Sequence, residues 1–277
     1  MTLSARNLLF KGGIILSFLC LVICAAASIR TIPVYSLMEP EIARRSGGFF
    51  QAIVGKYFSA RLLAVHCGIL AVVVYSFFSI ILTYYFFEKT QSPEILFVVF
   101  FALSFSIEAL RLILPLGQVY VMPSLYPLMA SRILLFARHF GIFSLFAASL
   151  YAVGYESQRQ RNVIMLITVT ALVIALGVPI DTEAWDSSLN MITGYAPIFR
   201  LIEAGTFLIT AVSFFIAAWS RSSREFIFIG IGAILAFLGR TILLTADAWA
   251  ILPFALAFLI AGTWIVCTYL HKIYLWL

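Results

Sequence analysis

Charged residues are scarce in this chain: Asp, Glu, Lys and Arg together make up 11% of its 277 residues, against 63% that are hydrophobic. Soluble domains carry about 25% charge, so a polar shell around a water-soluble core cannot be assembled from this composition. Cysteine is nearly as rare. Cys20, Cys24, Cys67 and Cys267 all fall inside apolar stretches and show no CxxC spacing, which argues against a disulfide framework and against a thiolate metal site. The three histidines, His66, His139 and His271, are too few and too scattered for a histidine-rich zinc site. The last apolar stretch has Lys272 only at its end, so a retinal-type Schiff base within it is excluded. No complete nucleotide, metal or nucleophile motif occurs, so no cofactor is expected and no residue is assigned as catalytic.

What the chain has in abundance is apolar sequence of spanning length. A hydrocarbon core of about 30 Å needs roughly 20 helical residues. Eight runs qualify, at about 13–29, 62–87, 94–117, 126–153, 163–180, 195–219, 225–246 and 249–271. Backbone that faces lipid must satisfy its own hydrogen bonds, so runs of this length read as helices. The expected fold is therefore all-α, a polytopic transmembrane helical bundle of eight spans. Connections after the second span hold at most about 14 residues, too few for a soluble kinase, cyclase or ATPase domain.

Basic residues orient the spans. Arg6, Lys11, Lys89, Arg159, Arg161, Arg221, Arg224 and Lys272 fall on one side, whereas Arg30, Arg44, Arg45, Lys56 and Arg61 fall in a single connection on the other. The connection 181–194 carries Asp181, Glu183 and Asp186 and no basic residue. Both termini are therefore expected in the cytoplasm of a cell inner (plasma) membrane. The net charge of +6 follows this topology and does not indicate nucleic-acid binding.

Three regions follow from the pattern. Residues 1–30 form a first transmembrane helix, or a signal peptide, since Arg6 and Lys11 precede a short apolar run ending in Ala25, Ala26, Ala27 and Ser28. Cleavage there would leave seven spans. Residues 31–61 form an extracytoplasmic segment in which Pro33, Pro40, Gly47 and Gly48 break any long helix; Phe49, Phe50, Ile53, Val54, Tyr57 and Phe58 then recur at helical spacing, as an interfacial helix or an extension of the second span. Residues 62–277 form a seven-helix transmembrane bundle.

The informative residues are the ionisable groups inside the spans: Arg111, Arg132, Arg138, Arg200, Arg240, Glu108, Glu203, His66 and His139. Each arginine or carboxylate costs about 2.5–3.5 kcal/mol at mid-bilayer, so such groups face the bundle interior and pair there. Apart from Arg138 and His139, which fall near mid-depth, they gather in the outward-facing half. In an α-helix Glu108 shares a face with Arg111, Arg200 with Glu203, and Arg132 with His139. Five cations against two carboxylates leave a surplus of about three positive charges.

These residues suggest an outward-opening cavity lined by Arg111, Arg132, Arg200 and Arg240, with Glu108 and Glu203 holding the guanidinium forks and His139 below them. Such a cavity suits a carboxylate or phosphate group. The functional expectation is an anion-binding sensor or accessory subunit; the alternatives are a transporter of an anionic solute, or a membrane enzyme acting on a lipid-linked phosphate. The expected partners are membrane lipids, an anionic small molecule or lipid headgroup, and a cytoplasmic or membrane protein that carries the signal. A competing account keeps the same residues structural: Arg132 and Arg200 snorkel to headgroups, and Glu108 with Arg111 forms an internal salt bridge.

Small residues add a packing expectation. Ala137, Gly141, Ser144, Ala148 and Ala152 form a smooth stripe on the fourth span, and Gly232 and Ala236 lead to Arg240 on the seventh, so both helices should be interior.

Overall fold

A computed structural model describes residues 3–38, 61–90, 92–155 and 159–275. The helices are α1 Leu3–Met38, α2 Leu62–Phe87, α3 Pro93–Ser104, α4 Ile113–Val119, α5 Leu125–Val153, α6 Gln160–Gly177, α7 Ala196–Ser220, α8 Glu225–Thr245 and α9 Ile251–Leu275. α3 and α4 are joined without a break by a 3₁₀ stretch, Phe105–Leu112, and together make the third span. Among the described residues eight helices are long and apolar enough to cross a membrane, and each overlaps one of the eight runs read from the sequence. Their outer faces fit lipid and not water: Trp219 is 89% exposed, Ile29 74% and Leu201 72%. The chain is a multi-pass membrane protein.

Helix ends follow their sequence. Ser92 accepts the Ile95 N–H at 3.4 Å and Pro93 follows it, so α3 begins with a side-chain cap and a residue whose missing N–H needs no partner. α5 ends at Gly154, whose φ of 117° closes the helix in the left-handed region. The C-terminus of α2 is capped from another helix. Arg6 of α1 donates to the carbonyls of Phe87 at 2.7 Å, Glu88 at 3.1 Å and Thr90, which satisfies acceptors that the helix leaves open. Arg6 was expected ahead of the first span; it is a buried residue of α1.

Tyr274 of α9 donates to Glu94 of α3 at 2.7 Å. Because Arg6 and Tyr274 both meet the α2–α3 region, the first and last helices end on the same face of the bundle. At the opposite face the Arg61 N–H donates to the Asp247 carbonyl at 2.8 Å. There α6 leads into a β-hairpin, with β1 Ile180–Trp185 antiparallel to β2 Met191–Thr193.

Two expectations need correction. Pro33 does not end the first helix, since α1 continues to Met38. The connection 181–194, read only as an acidic loop, contains the hairpin. The proposed interfacial stripe from Phe49 to Phe58 lies outside the described residues.

The small-residue stripes are buried, as the packing expectation requires. α8 and α9 approach most closely. A β-carbon on Gly232 would lie 2.8 Å from the carbonyl of Gly262, and one on Gly262 would lie 2.6 Å from the carbonyl of Gly232. Backbone lies on both sides of the contact, so a side chain there forces the helices apart. Gly262→Leu is expected to cost about 1–3 kcal/mol by overpacking, measured as a lower Tm of the purified protein. Gly12, with open space around its α-carbon, provides the control: Gly12→Ala leaves Tm unchanged or slightly higher.

Candidate functional site

The site is organised by the break in the third span. Pro115 lacks the N–H that would bond the carbonyl of Arg111, and its ring crowds that carbonyl. The turns before it tighten into the eight-residue 3₁₀ stretch, long for a form that usually lasts 3–4 residues. With about three residues per turn, positions i and i+3 eclipse. Phe105, Glu108 and Arg111 therefore stack on one face. Glu108 and Arg111 share a face, as α-helical spacing already implied, and the tighter turns bring them into closer register.

Glu108 is gripped by Arg138 of α5. Nε and Nη2 of Arg138 donate to the two carboxylate oxygens, each at 2.7 Å. This is the bidentate fork, the strongest neutralising geometry a carboxylate finds on a protein. The same Nη2 also donates to Oδ1 of Asn190, at the hairpin turn, at 2.7 Å. Arg111 approaches Glu108 less well, with Nη1 3.7 Å from Oε2. From α8, Arg240 donates to the Arg138 carbonyl at 3.2 Å and lies 3.8 Å from the Glu203 carboxylate of α7. The third span, α5, α7, α8 and the hairpin thus meet at one cluster.

The structure assembles Arg111, Arg240, Glu108 and Glu203 from the expected set and adds Arg138. It does not bring Arg132 or Arg200 to them, so the cavity lined by four arginines is not formed. Arg132 donates to the carbonyls of Ala175 at 2.6 Å, Leu176 at 2.7 Å and Val178 at 2.6 Å. Its reason is local: α6 stops at Gly177, its last carbonyls need donors, and Arg132 supplies them. Arg200 lies exposed in the first turns of α7, with no hydrogen bond or ion pair among the described residues. The expected pair of Arg200 with Glu203 is therefore replaced by Arg240 with Glu203. His139 is buried; Nδ1 meets the Leu135 carbonyl at 2.9 Å, the ring packs edge-on to Phe199, and Nε2 has no hydrogen-bond partner among the described residues.

The charge balance changes accordingly. Within the cluster three guanidinium groups, on Arg111, Arg138 and Arg240, face two carboxylates, on Glu108 and Glu203, so the expected surplus of three falls to one. Arg138 is satisfied on its fork edge and Arg240 lies close to Glu203. Arg111 carries the excess. Its side chain is 3% exposed, and Nε and Nη2 are buried without hydrogen-bond partners among the described residues. That is the same edge with which Arg138 holds Glu108. The hairpin turn that carries Asn190 also carries the exposed carboxylate of Asp186.

Two cavities lie elsewhere, along α2 and α9. One of about 710 Å³ is lined by Val74, Phe78, Leu82, Leu256, Trp264 and His271; another of about 640 Å³ adjoins Gly68, Leu243, Trp249 and Pro253. Both are apolar, open towards the lipid-facing surface, and touch none of the arginines. Among the described residues no three His, Cys, Asp or Glu side chains gather to hold a metal ion.

Sequence reasoning missed Arg138 as the partner of Glu108 because depth was counted along uniform α-helices. It missed Asn190 because the hairpin was not seen. The turn-forming run Asp186, Ser187, Ser188, Leu189, Asn190 between Trp185 and Met191 was the available signal. Buried Glu94, bonded by Tyr274 and by Ser92 at 2.8 Å, also escaped notice; it stands at the very start of the third apolar run. In comparison with known proteins, no protein family matches the chain and no curated relative is found.

Proposed function

We propose that this protein binds an anionic ligand, through a carboxylate or phosphate group, at the Arg111 fork. The hairpin end is the outer face of an inner (plasma) membrane in this reading, which follows from the basic residues gathered at the opposite end. The protein acts there as a sensor or accessory subunit, passing occupancy of the site to a partner. The observation that carries the proposal is the buried and unpaired Nε/Nη2 edge of Arg111. A guanidinium withdrawn from water without acceptors is costly, and a planar pair of oxygens carrying one negative charge supplies what that edge lacks.

Binding is the part of the function the residues support most directly. Glu108 is held on both oxygens by Arg138, so it is engaged as a strut and not free as a general base. The proposal places Arg111 at the contact, with Arg138 and Glu108 fixing its position and Arg240 with Glu203 closing the side. Arg132 and Arg200 drop out of the ligand set.

The test uses the full chain in phosphatidylcholine nanodiscs, titrated with inorganic phosphate at constant ionic strength. Phosphate is expected to raise Tm progressively, by the linkage that stabilises a native state which alone binds the ligand. Arg111→Met is expected to abolish that rise, whereas Arg200→Met retains it. An equal rise in wild type and Arg111→Met, or no rise in wild type, would overturn the proposal.

A further inference from the structure

The hairpin turn provides the arginine cluster with the two things a ligand would bring. Asn190 Oδ1 accepts from Arg138 Nη2 at 2.7 Å, and Asp186, bonded to Asn190 within the same turn, adds a carboxylate. The turn is held in shape for this. Oδ1 of Asp186 accepts the Ser188 N–H at 3.0 Å, the Ser188 hydroxyl at 2.9 Å and the Asn190 N–H at 2.8 Å. Asn190 Nδ2 donates to the Ser188 hydroxyl at 2.7 Å, which leaves Oδ1 aimed at Arg138.

Among the described residues, apolar packing and one further side-chain hydrogen bond hold the turn down besides the bond to Arg138. Leu189 and Met191 are buried against an apolar cluster that includes Val65, Ile69, Leu112 and Leu114. The Ser187 hydroxyl donates to Asp247 Oδ2 at 2.7 Å. The strands themselves pair irregularly over a short length, and an isolated two-stranded hairpin is marginal without such support.

We infer that the 186–190 turn is a tethered plug: it occupies the mouth of the Arg111 site in the ligand-free protein, and an incoming oxyanion must displace it. This rests on the anion-binding reading of Arg111. Displacement exchanges an amide acceptor on the turn for a charged acceptor on the ligand and uncovers the edge of Arg111 beneath. Because the plug is attached at both ends, it competes at high local concentration, and the apparent affinity for the anion falls in proportion to the closed population. The turn thereby converts occupancy into movement of an exposed element, which is what a sensing subunit needs.

Two variants test the plug in the full chain in phosphatidylcholine nanodiscs, with inorganic phosphate as probe. Asn190→Ala removes the acceptor offered to Arg138 and is expected to tighten phosphate binding about tenfold. The second carries Ser187→Cys and Asp247→Cys, with the native cysteines replaced by alanine, and is closed by a short reducible dithiol-reactive bridge. Phosphate should raise Tm of the reduced protein and leave the bridged protein unmoved. Equal phosphate-induced shifts in bridged and reduced forms, or unchanged or weaker phosphate binding by Asn190→Ala, overturn the plug while leaving the site intact. Absence of any phosphate shift in wild type overturns the anion-binding reading, and the plug falls with it.

Discussion

Arg138→Met is expected to destabilise the protein by about 3–5 kcal/mol, the cost of leaving a buried charge without its partner. The reason lies with Glu108, whose side chain is 2% exposed and whose two oxygens both depend on the Arg138 fork. Arg111 cannot take over without moving, because its nearest nitrogen stands 3.7 Å away. The variant also removes the donor to Asn190 and so loosens the hairpin. Unfolding in mixed micelles, followed by far-ultraviolet circular dichroism, measures the loss. The double variant Glu108→Gln with Arg138→Met should recover much of it, since a neutral amide tolerates burial better than an isolated carboxylate. A single variant as stable as wild type would show that Glu108 carries no charge that needs Arg138.

The fold was legible because lipid imposes a simple rule: a spanning segment needs about 20 apolar residues and an internally satisfied backbone. Leu62–Phe87 and Leu125–Val153 follow it almost residue for residue. What the rule does not reach is the local path of the backbone. Pro115 was visible, but its effect on Phe105–Leu112 depends on how neighbouring helices support a tightened turn. The hairpin was hidden because Ile180–Trp185 is short and has Asp181 and Glu183 among its residues, a composition that weakens the strand signal.

The candidate site was legible by residue type and not by partner. Glu108, Arg111, Glu203 and Arg240 stand out because ionisable groups are rare in lipid, and the structure gathers these four. Pairing failed where nearest sequence spacing was allowed to decide it. Arg200 and Glu203 are three residues apart yet do not meet, since Arg200 lies on the exposed face of α7 while Arg240 comes within 3.8 Å of Glu203 from α8. Arg132 and Arg6 show another limit. Both are spent on the C-terminal carbonyls of neighbouring helices, a demand that arises only once those helices end beside them.

Arg111→Met is expected to change stability in the opposite direction, raising it by about 1–3 kcal/mol in the absence of anion, the cost of buried donors that lack an acceptor. Glu108 keeps its bidentate partner in this variant, so no new unpaired carboxylate results. The excess positive charge of the cluster disappears with the substitution, as do the two nitrogens without acceptors, Nε and Nη2. A residue whose removal stabilises the protein yet abolishes its response to phosphate serves the ligand and not the fold. The measurement is the unfolding midpoint of Arg111→Met and wild type in phosphate-free buffer, with the Glu108→Gln, Arg138→Met double variant alongside. If Arg111→Met unfolds more readily than wild type, the guanidinium is a structural member of the cluster, and its unpaired edge owes nothing to an anion.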